Sequence, residues 1–462
     1  MGTQRKGTLP PRSDSKLIAR VLSGVVLLVL AAAFAAASAL AAWHVPRPAS
    51  AAKPLAASPD RLTWIGTWAT SAQPFIPKAL QTYHNQTLRL IVHTSAGGHK
   101  VRIRISNTYG DQPLVIGAAH IARRSSGADI EPASDRSLKF QGRSSVTIPA
   151  RAIAVSDPLD LDFPPLSDLA ISLFLPQSTE AKTVHAMAKQ TSYVSPATGD
   201  AAAATKFPVG SAIHSWPFLT GVDVAASPGS FSVVAFGSSL TDGDGTDADT
   251  NSRWPDRLAQ RFQEQSALGV PKVKVGVLNE GIIGNRLLYD SPKTPTNPYG
   301  AALGESGLAR FERDVLNQPG AKYVIVGLGI NDMLFPAFPF TPPGETVSAD
   351  DIIAGYRQLI ARAHKKNIQV IGTTNPAFEN SAFEGFVDSF YTPEREATRQ
   401  KVNAWILQSG EFDGVVDLDA VVRDPSHPTR LLPAYDSGDH LHPNNAGALA
   451  EANAIPLALF NK

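Results

Sequence analysis

Cysteine is absent from the 462 residues of this chain. That excludes disulfides, a thiolate nucleophile and a cysteine-type zinc site, whichever compartment the protein occupies. A surplus of charge is absent too. Lys and Arg number 42 against 41 Asp and Glu, a formal net charge of +1. Nothing in that balance argues for a nucleic acid or a strongly acidic partner. Residues 61–224 have no convincing amphipathic helix. Their histidines (His84, His93, His99, His120, His185, His214) are scattered, with no pair at metal-ligand spacing on one strand face. The reading therefore includes no metal and no cofactor. What the chain does have is length and a hydrophobic content of 43%, ample for two domains with real cores.

The N-terminus reads as a targeting segment. Arg5, Lys6, Arg12, Lys16 and Arg20 precede an apolar run over 21–42 that ends in small residues. Ala39-Leu40-Ala41 and Ala49-Ser50-Ala51 both fit a small-x-small cleavage site. The expectation is a signal peptide over 1–42, or an uncleaved anchor, since the run is about long enough to span a bilayer. Either way the body is exported, secreted or periplasmic, and a membrane enters only if the segment stays attached. Residues 43–60, rich in Ala, Pro and Ser, read as a flexible leader.

Residues 61–224 have a β pattern. Runs at 88–93 and 101–106 alternate or nearly alternate apolar and polar residues, as half-buried antiparallel strands do. Gly97-Gly98 between them predicts a hairpin turn. Further short strands are expected at 114–117, 145–148 and 169–174, giving a β-sandwich of jelly-roll type. Trp64, Trp68 and Trp216 suit either a sandwich core or a platform for sugars. A linker over 225–230 leads to a second domain, 231–462, where strands and helices alternate. Helices are expected over 254–264, 307–315, 349–366 and 393–408, with Ser348 as N-cap and Asp351 at N3 of the third. Strands are expected at 369–372 and 414–417. This alternation predicts an α/β fold, a parallel sheet with helices on both faces.

The chain is organised around Phe236-Gly237-Ser238-Ser239-Leu240-Thr241-Asp242-Gly243, which follows the buried run Ser232-Val233-Val234-Ala235. A serine at the exit of a buried parallel strand lies where open α/β sheets place their ligands. Asn279-Glu280-Gly281-Ile282-Ile283-Gly284-Asn285-Arg286 and Gly329-Ile330-Asn331-Asp332 also follow apolar runs. Asp439-His440-Leu441-His442-Pro443-Asn444 lies near the C-terminus. An ester carbonyl needs a nucleophile, a base and donors for the oxyanion. Ser239 is the hydroxyl candidate, and a serine is a weak nucleophile without a base in reach. His442 and His440 compete as base, with Asp439 as the orienting carboxylate.

In order, these four blocks resemble the SGNH (GDSL-type) hydrolases over 230–462. The resemblance implies a flavodoxin-like sheet and a triad of Ser239, Asp439 and His442, the last preferred for its spacing from Asp439 and its following proline. It implies oxyanion donors at the backbone N–H of Ser239, the backbone N–H of Gly284 and the side-chain amide of Asn331. Gly281 is assigned to a turn and Asp332 to fixing its loop. One position departs: Ser238 stands where the family has Asp. The expected activity is carboxylic ester hydrolysis through an acyl-enzyme, on short acyl (acetyl) esters of glycans or on aryl esters, so the partner is a small-molecule or polysaccharide ester. The alternatives are a lysophospholipase or thioesterase on longer chains, or a glycan-binding protein whose hydrolase domain is inactive. A β domain ahead of such a domain resembles the layout of some carbohydrate esterases.

Overall fold

The computed structural model describes residues 63–267 and 273–461. The expected targeting segment and leader, 1–42 and 43–60, lie outside the described residues. Among the described residues no helix is long and apolar enough to cross a membrane.

Two antiparallel sheets form the first half. One sets β1 (Thr63–Ala69) beside β6 (Leu219–Ala226) and β6 beside β3 (Gly98–Ser106). The other has β2 (Gln86–His93), β5 (Asp168–Leu175) and β4 (Ala118–Ser126) at its centre, in that order. Alternation decides what each strand buries. In β3, Val101, Ile103 and Ile105 enter the core shared with Leu88, Leu90 and Val92 of β2. Arg102 and Arg104 point the other way, onto Asp223 of β6 at 3.0 and 3.2 Å. Trp68 and Trp216 meet edge to face in the core, centroids 5.0 Å apart, and the Trp216 indole N–H donates to the Ile91 carbonyl at 2.8 Å.

The strands β2 and β3 are not hairpin partners, contrary to the expectation for Gly97-Gly98. They belong to opposite sheets, and the chain crosses between them. Along the way Thr94 N–H donates to Ser167 O and Ser95 N–H to Thr67 O. Alternation tells which face a strand buries, and both sheets of a sandwich bury the same kind of face.

The second half is a five-stranded parallel sheet ordered β8 (Val275–Gly281), β7 (Phe231–Gly237), β9 (Ala321–Gly327), β10 (Gln369–Thr373), β11 (Gly414–Val416). All seven residues of β7 are buried, as a central strand covered on both faces requires. On one face Val234 and Phe236 pack against α3 (Gly307–Phe311), α5 (Ala349–His364) and α6 (Pro393–Gln408). On the other, Val233 and Ala235 pack against α2 (Trp254–Ala267) and α7 (Asn445–Ala454). Ser348 and Asp351 form a reciprocal capping box at the start of α5. The strand order reverses at β7, so the crevice of this sheet opens at the C-terminal ends of β7, β8 and β9.

The two halves share buried polar contacts. Ser71 Oγ–H donates to Glu280 Oε2 at 2.7 Å and accepts from Arg310 at 2.9 Å. Gly66 N–H donates to Ser232 Oγ at 3.0 Å.

Candidate active site

The serine block, the glycine block and the Gly-Ile-Asn-Asp block leave the ends of β7, β8 and β9, and so converge on one crevice. Ser239 opens a single-turn helix, α1 (Ser239–Asp242), closed by Gly243 in the left-handed region. Its backbone N–H is among those that a helix start leaves without an intrahelical partner.

His442 Nε2 lies 2.8 Å from Ser239 Oγ, and its Nδ1 lies 2.5 Å from Asp439 Oδ2. A carboxylate accepts, so Nδ1 carries the proton and Nε2 is left to accept from the serine hydroxyl. Asp439 is itself fixed by its own turn: Oδ1 accepts the backbone N–H of Leu441 at 2.9 Å and of His442 at 2.8 Å. Burial would raise the Asp439 carboxyl, but the His442 hydrogen bond and these N–H groups hold it far below the usual carboxylate range. For His442, burial pulls the pKa down. The hydrogen bond that Nδ1–H donates to Asp439 and the charge of Asp244 outweigh that, with Lys189 opposing, and the net shift is upward. His440 points elsewhere. It is exposed, its ring bonded to Asp436 at 2.5 Å.

Gly284 and Asn331 line the same cleft as Ser239 and His442. Gly284 has φ +69°, in the region that favours glycine. The Asn331 amide donates one hydrogen to Asn285 O at 3.0 Å, which leaves a second for the cleft. Asp332 holds the loop after Gly284, accepting from Leu287 N–H at 2.6 Å and Leu288 N–H at 2.9 Å. Its burial pushes its pKa up to about 6 against those bonds. Gly281, assigned to a turn from the sequence, instead ends β8. A Cβ there would lie 2.3 Å from the Asp242 nitrogen, so its glycine serves the close approach of α1. Ser238, at the departing position, is fully buried, and its hydroxyl has no hydrogen-bond partner.

Several residues around the site went unrecognised in the sequence. His185, on a sandwich strand, lies 2.9 Å from Asp242 Oδ1 through Nε2 and donates through Nδ1 to the Ser71 carbonyl at 3.0 Å. Asp242 Oδ2 accepts from Ile283 N–H at 3.1 Å, next to Gly284. Asn285 is fixed by its amide bonds to Leu303 O and Glu305 O and by Arg310. No local pattern marks these partners, because their separations run from 18 to 114 residues.

The cleft has a volume of about 270 Å³. Beyond the polar end, its wall is formed by Leu334, Phe335, Phe338, Phe340, Phe383 and Phe390. Phe338 and Phe340 stack with centroids 4.8 Å apart. Every residue lining it follows β7, so no sandwich side chain contributes. The wall is drawn from two segments, 335–340, dense in Phe and Pro in the sequence, and 383–390, about fifty residues further on.

Residues 233–455, just under half of the chain, match the family model described as GDSL-like Lipase/Acylhydrolase. No curated protein matches the chain. Among solved structures, an acetyl xylan esterase from Geobacillus stearothermophilus aligns at 21% identity over 50% of this chain and 94% of that one, with a TM-score of 0.36. An aryl esterase from M. smegmatis aligns at 18% identity over 49% and 96%, with a TM-score of 0.35. A carbohydrate acetylesterase family member from Sinorhizobium meliloti aligns at 17% identity over 48% and 94%, also at 0.35.

Proposed function

We propose that this chain, whose residues 233–455 match the GDSL-like lipase/acylhydrolase model of carboxylic ester hydrolases, is an exported serine esterase that acts through an acyl-enzyme on Ser239. The observation that carries this reading is the continuous chain from Ser239 Oγ through the His442 ring to Asp439, at 2.8 and 2.5 Å. Export rests on the basic and apolar pattern of residues 5–42.

In this mechanism His442 Nε2 takes the proton of Ser239 as Oγ attacks the ester carbonyl. Asp439 keeps the ring in the tautomer that leaves Nε2 free and stabilises the imidazolium. The oxyanion is received by the N–H groups of Ser239 and Gly284 and by the Asn331 amide, each such donor being worth about 10²–10³ in turnover. His442 then gives its proton to the departing alcohol. Water repeats the sequence on the acyl-enzyme.

The phenylalanine wall favours esters whose group beside the carbonyl is compact and apolar or aromatic, since a polar sugar would find no partners there. Acetylated glycans fit if the sugar stays outside the cleft with only its acyl group within. A second reading is a longer acyl chain leaving along the rim. It is favoured by Phe386, which is 39% exposed and touches both Phe340 and Phe383 at centroid distances of 5.8 Å.

Ser239→Ala should abolish hydrolysis of a nitrophenyl ester while leaving the melting temperature close to that of the wild type. A serine-directed phosphonate should label the wild type once, at Ser239. Labelling at Ser238 would overturn the assignment.

A further inference from the structure

Asp244 belongs to no part of the mechanism above, yet it lines the cleft beside Ser239 and His442. Its Oδ2 lies 3.9 Å from His442 Nε2, on the ring edge that faces Ser239 rather than Asp439. Resting on the acyl-enzyme reading, we propose that Asp244 orients the water that hydrolyses the acyl-enzyme.

The loop holds this carboxylate in place from several sides. Asp244 N–H donates to Ser239 O at 2.9 Å, which ties it to the first residue of α1. Its Oδ1 accepts from Gly245 N–H at 3.1 Å and faces Lys189 Nζ at 3.7 Å, which turns Oδ2 toward the histidine. Gly245 passes so close to the His442 segment that a Cβ would lie 2.6 Å from Pro443 O and 3.0 Å from His442 Cβ. Further along, Asp247 and Asn445 exchange two hydrogen bonds at 2.9 and 2.7 Å. Asp249 accepts from Gln190 and twice from Thr191, each at 2.6 Å, and Lys189 Nζ donates to Thr246 O at 3.0 Å. The sandwich segment 189–191 therefore anchors the loop that carries Asp244, without itself entering the cleft.

Acylation creates the need for such a group. Once Ser239 Oγ is esterified and His442 has protonated the departing alcohol, Nε2 is an acceptor with no hydroxyl to hold. Two acceptors 3.9 Å apart can each take one proton of a single water at ordinary hydrogen-bond lengths of about 2.8 Å. That leaves the water oxygen's lone pairs free for the acyl carbon. The water oxygen bonds to that carbon as its proton passes to Nε2. The Ser239 Oγ–carbon bond then breaks, Nε2 returns the proton to Oγ, and the carboxylic acid leaves. Asp244 accepts a hydrogen bond throughout and takes no proton. It is a positioning residue, since its effect runs through the water and His442.

The test separates the two half-reactions by rapid mixing with a nitrophenyl ester. At a pH where His442 is fully neutral, so that removing the Asp244 charge leaves its protonation unchanged, Asp244→Asn should slow deacylation about 10- to 100-fold while the acylation burst keeps close to its wild-type rate. Asp244→Glu, which keeps a carboxylate, should recover part of the loss. Labelling of each variant by a phosphonate at the wild-type rate shows that Ser239 and His442 are intact. Equal slowing of both half-reactions, or unchanged deacylation in a variant that labels normally, overturns the proposal. If the wild type forms no covalent adduct at Ser239, the acyl-enzyme reading itself fails and this inference with it.

Discussion

A histidine serves as a base only while neutral, so His442 should decide the pH profile. Its ordinary value is about 6.5. Burial lowers it, the hydrogen bond donated to Asp439 and the charges of Asp244 and Asp439 raise it, Lys189 opposes them, and the net shift is upward. Activity, measured as kcat/KM on a neutral ester, should therefore rise through a single apparent pKa above that ordinary value. Asp439→Asn should cut turnover severely, because the imidazole is no longer held in the productive tautomer. His442→Ala should be inactive at every pH, whereas His440→Ala should keep the wild-type profile. The reverse behaviour of the two histidine variants would refute the assignment. The triad candidates were legible because each lies in a short block whose geometry is made locally. Asp439, for example, binds N–H groups only two and three residues on. Asp244 was not, although it stands five residues from Ser239. Its meaning depends on the loop passing Pro443, some two hundred residues later.

Among the elements, β7 to β11 were readable for a similar reason. A parallel strand covered on both faces must be apolar along its length, and the amphipathic helices between them carry their own caps, such as Ser348. Partner choice in the sandwich was not readable, as β2 and β3 show. The cleft wall was half legible. Phe335, Phe338 and Phe340 stood out as a cluster, but Phe383 and Phe390 join them only through folding, with Phe338 centroids 5.5 and 5.3 Å from theirs. If this wall gauges the substrate, Phe338→Ala should open the cleft and move the preferred acyl length upward across a nitrophenyl ester series. The largest fall in kcat/KM should be on the compact esters, of the order of tenfold for about 1.4 kcal/mol of lost contact. A uniform loss at all chain lengths would mean that Phe338 supports the fold and does not measure the substrate.

Across the whole molecule, the sandwich and the parallel sheet meet over buried polar groups, and this should make stability fall as pH rises. Glu280, at the end of β8, is fully buried, and its Oε1 has no hydrogen-bond partner. Burial and then the nearby charge of Asp314 push its pKa up to about 8; the Ser71 hydrogen bond and the charges of Arg104 and Arg310 resist without prevailing. Burial alone pushes Glu451 on α7 up to about 8 as well. Between the ordinary value of 4.5 and about 8, the unfolded chain gives up these protons while the folded chain keeps them. The folded state then binds more protons than the unfolded one, so stability declines with pH through that window and levels off above it. Glu280→Gln keeps the shape and removes the titration. Its thermal unfolding should match the wild type near pH 4.5 and gain on it toward pH 8, by a margin on the order of a few kcal/mol. A glutamine variant that is destabilised equally at every pH would show instead that Glu280 is the ionised partner of Arg310 across this interface.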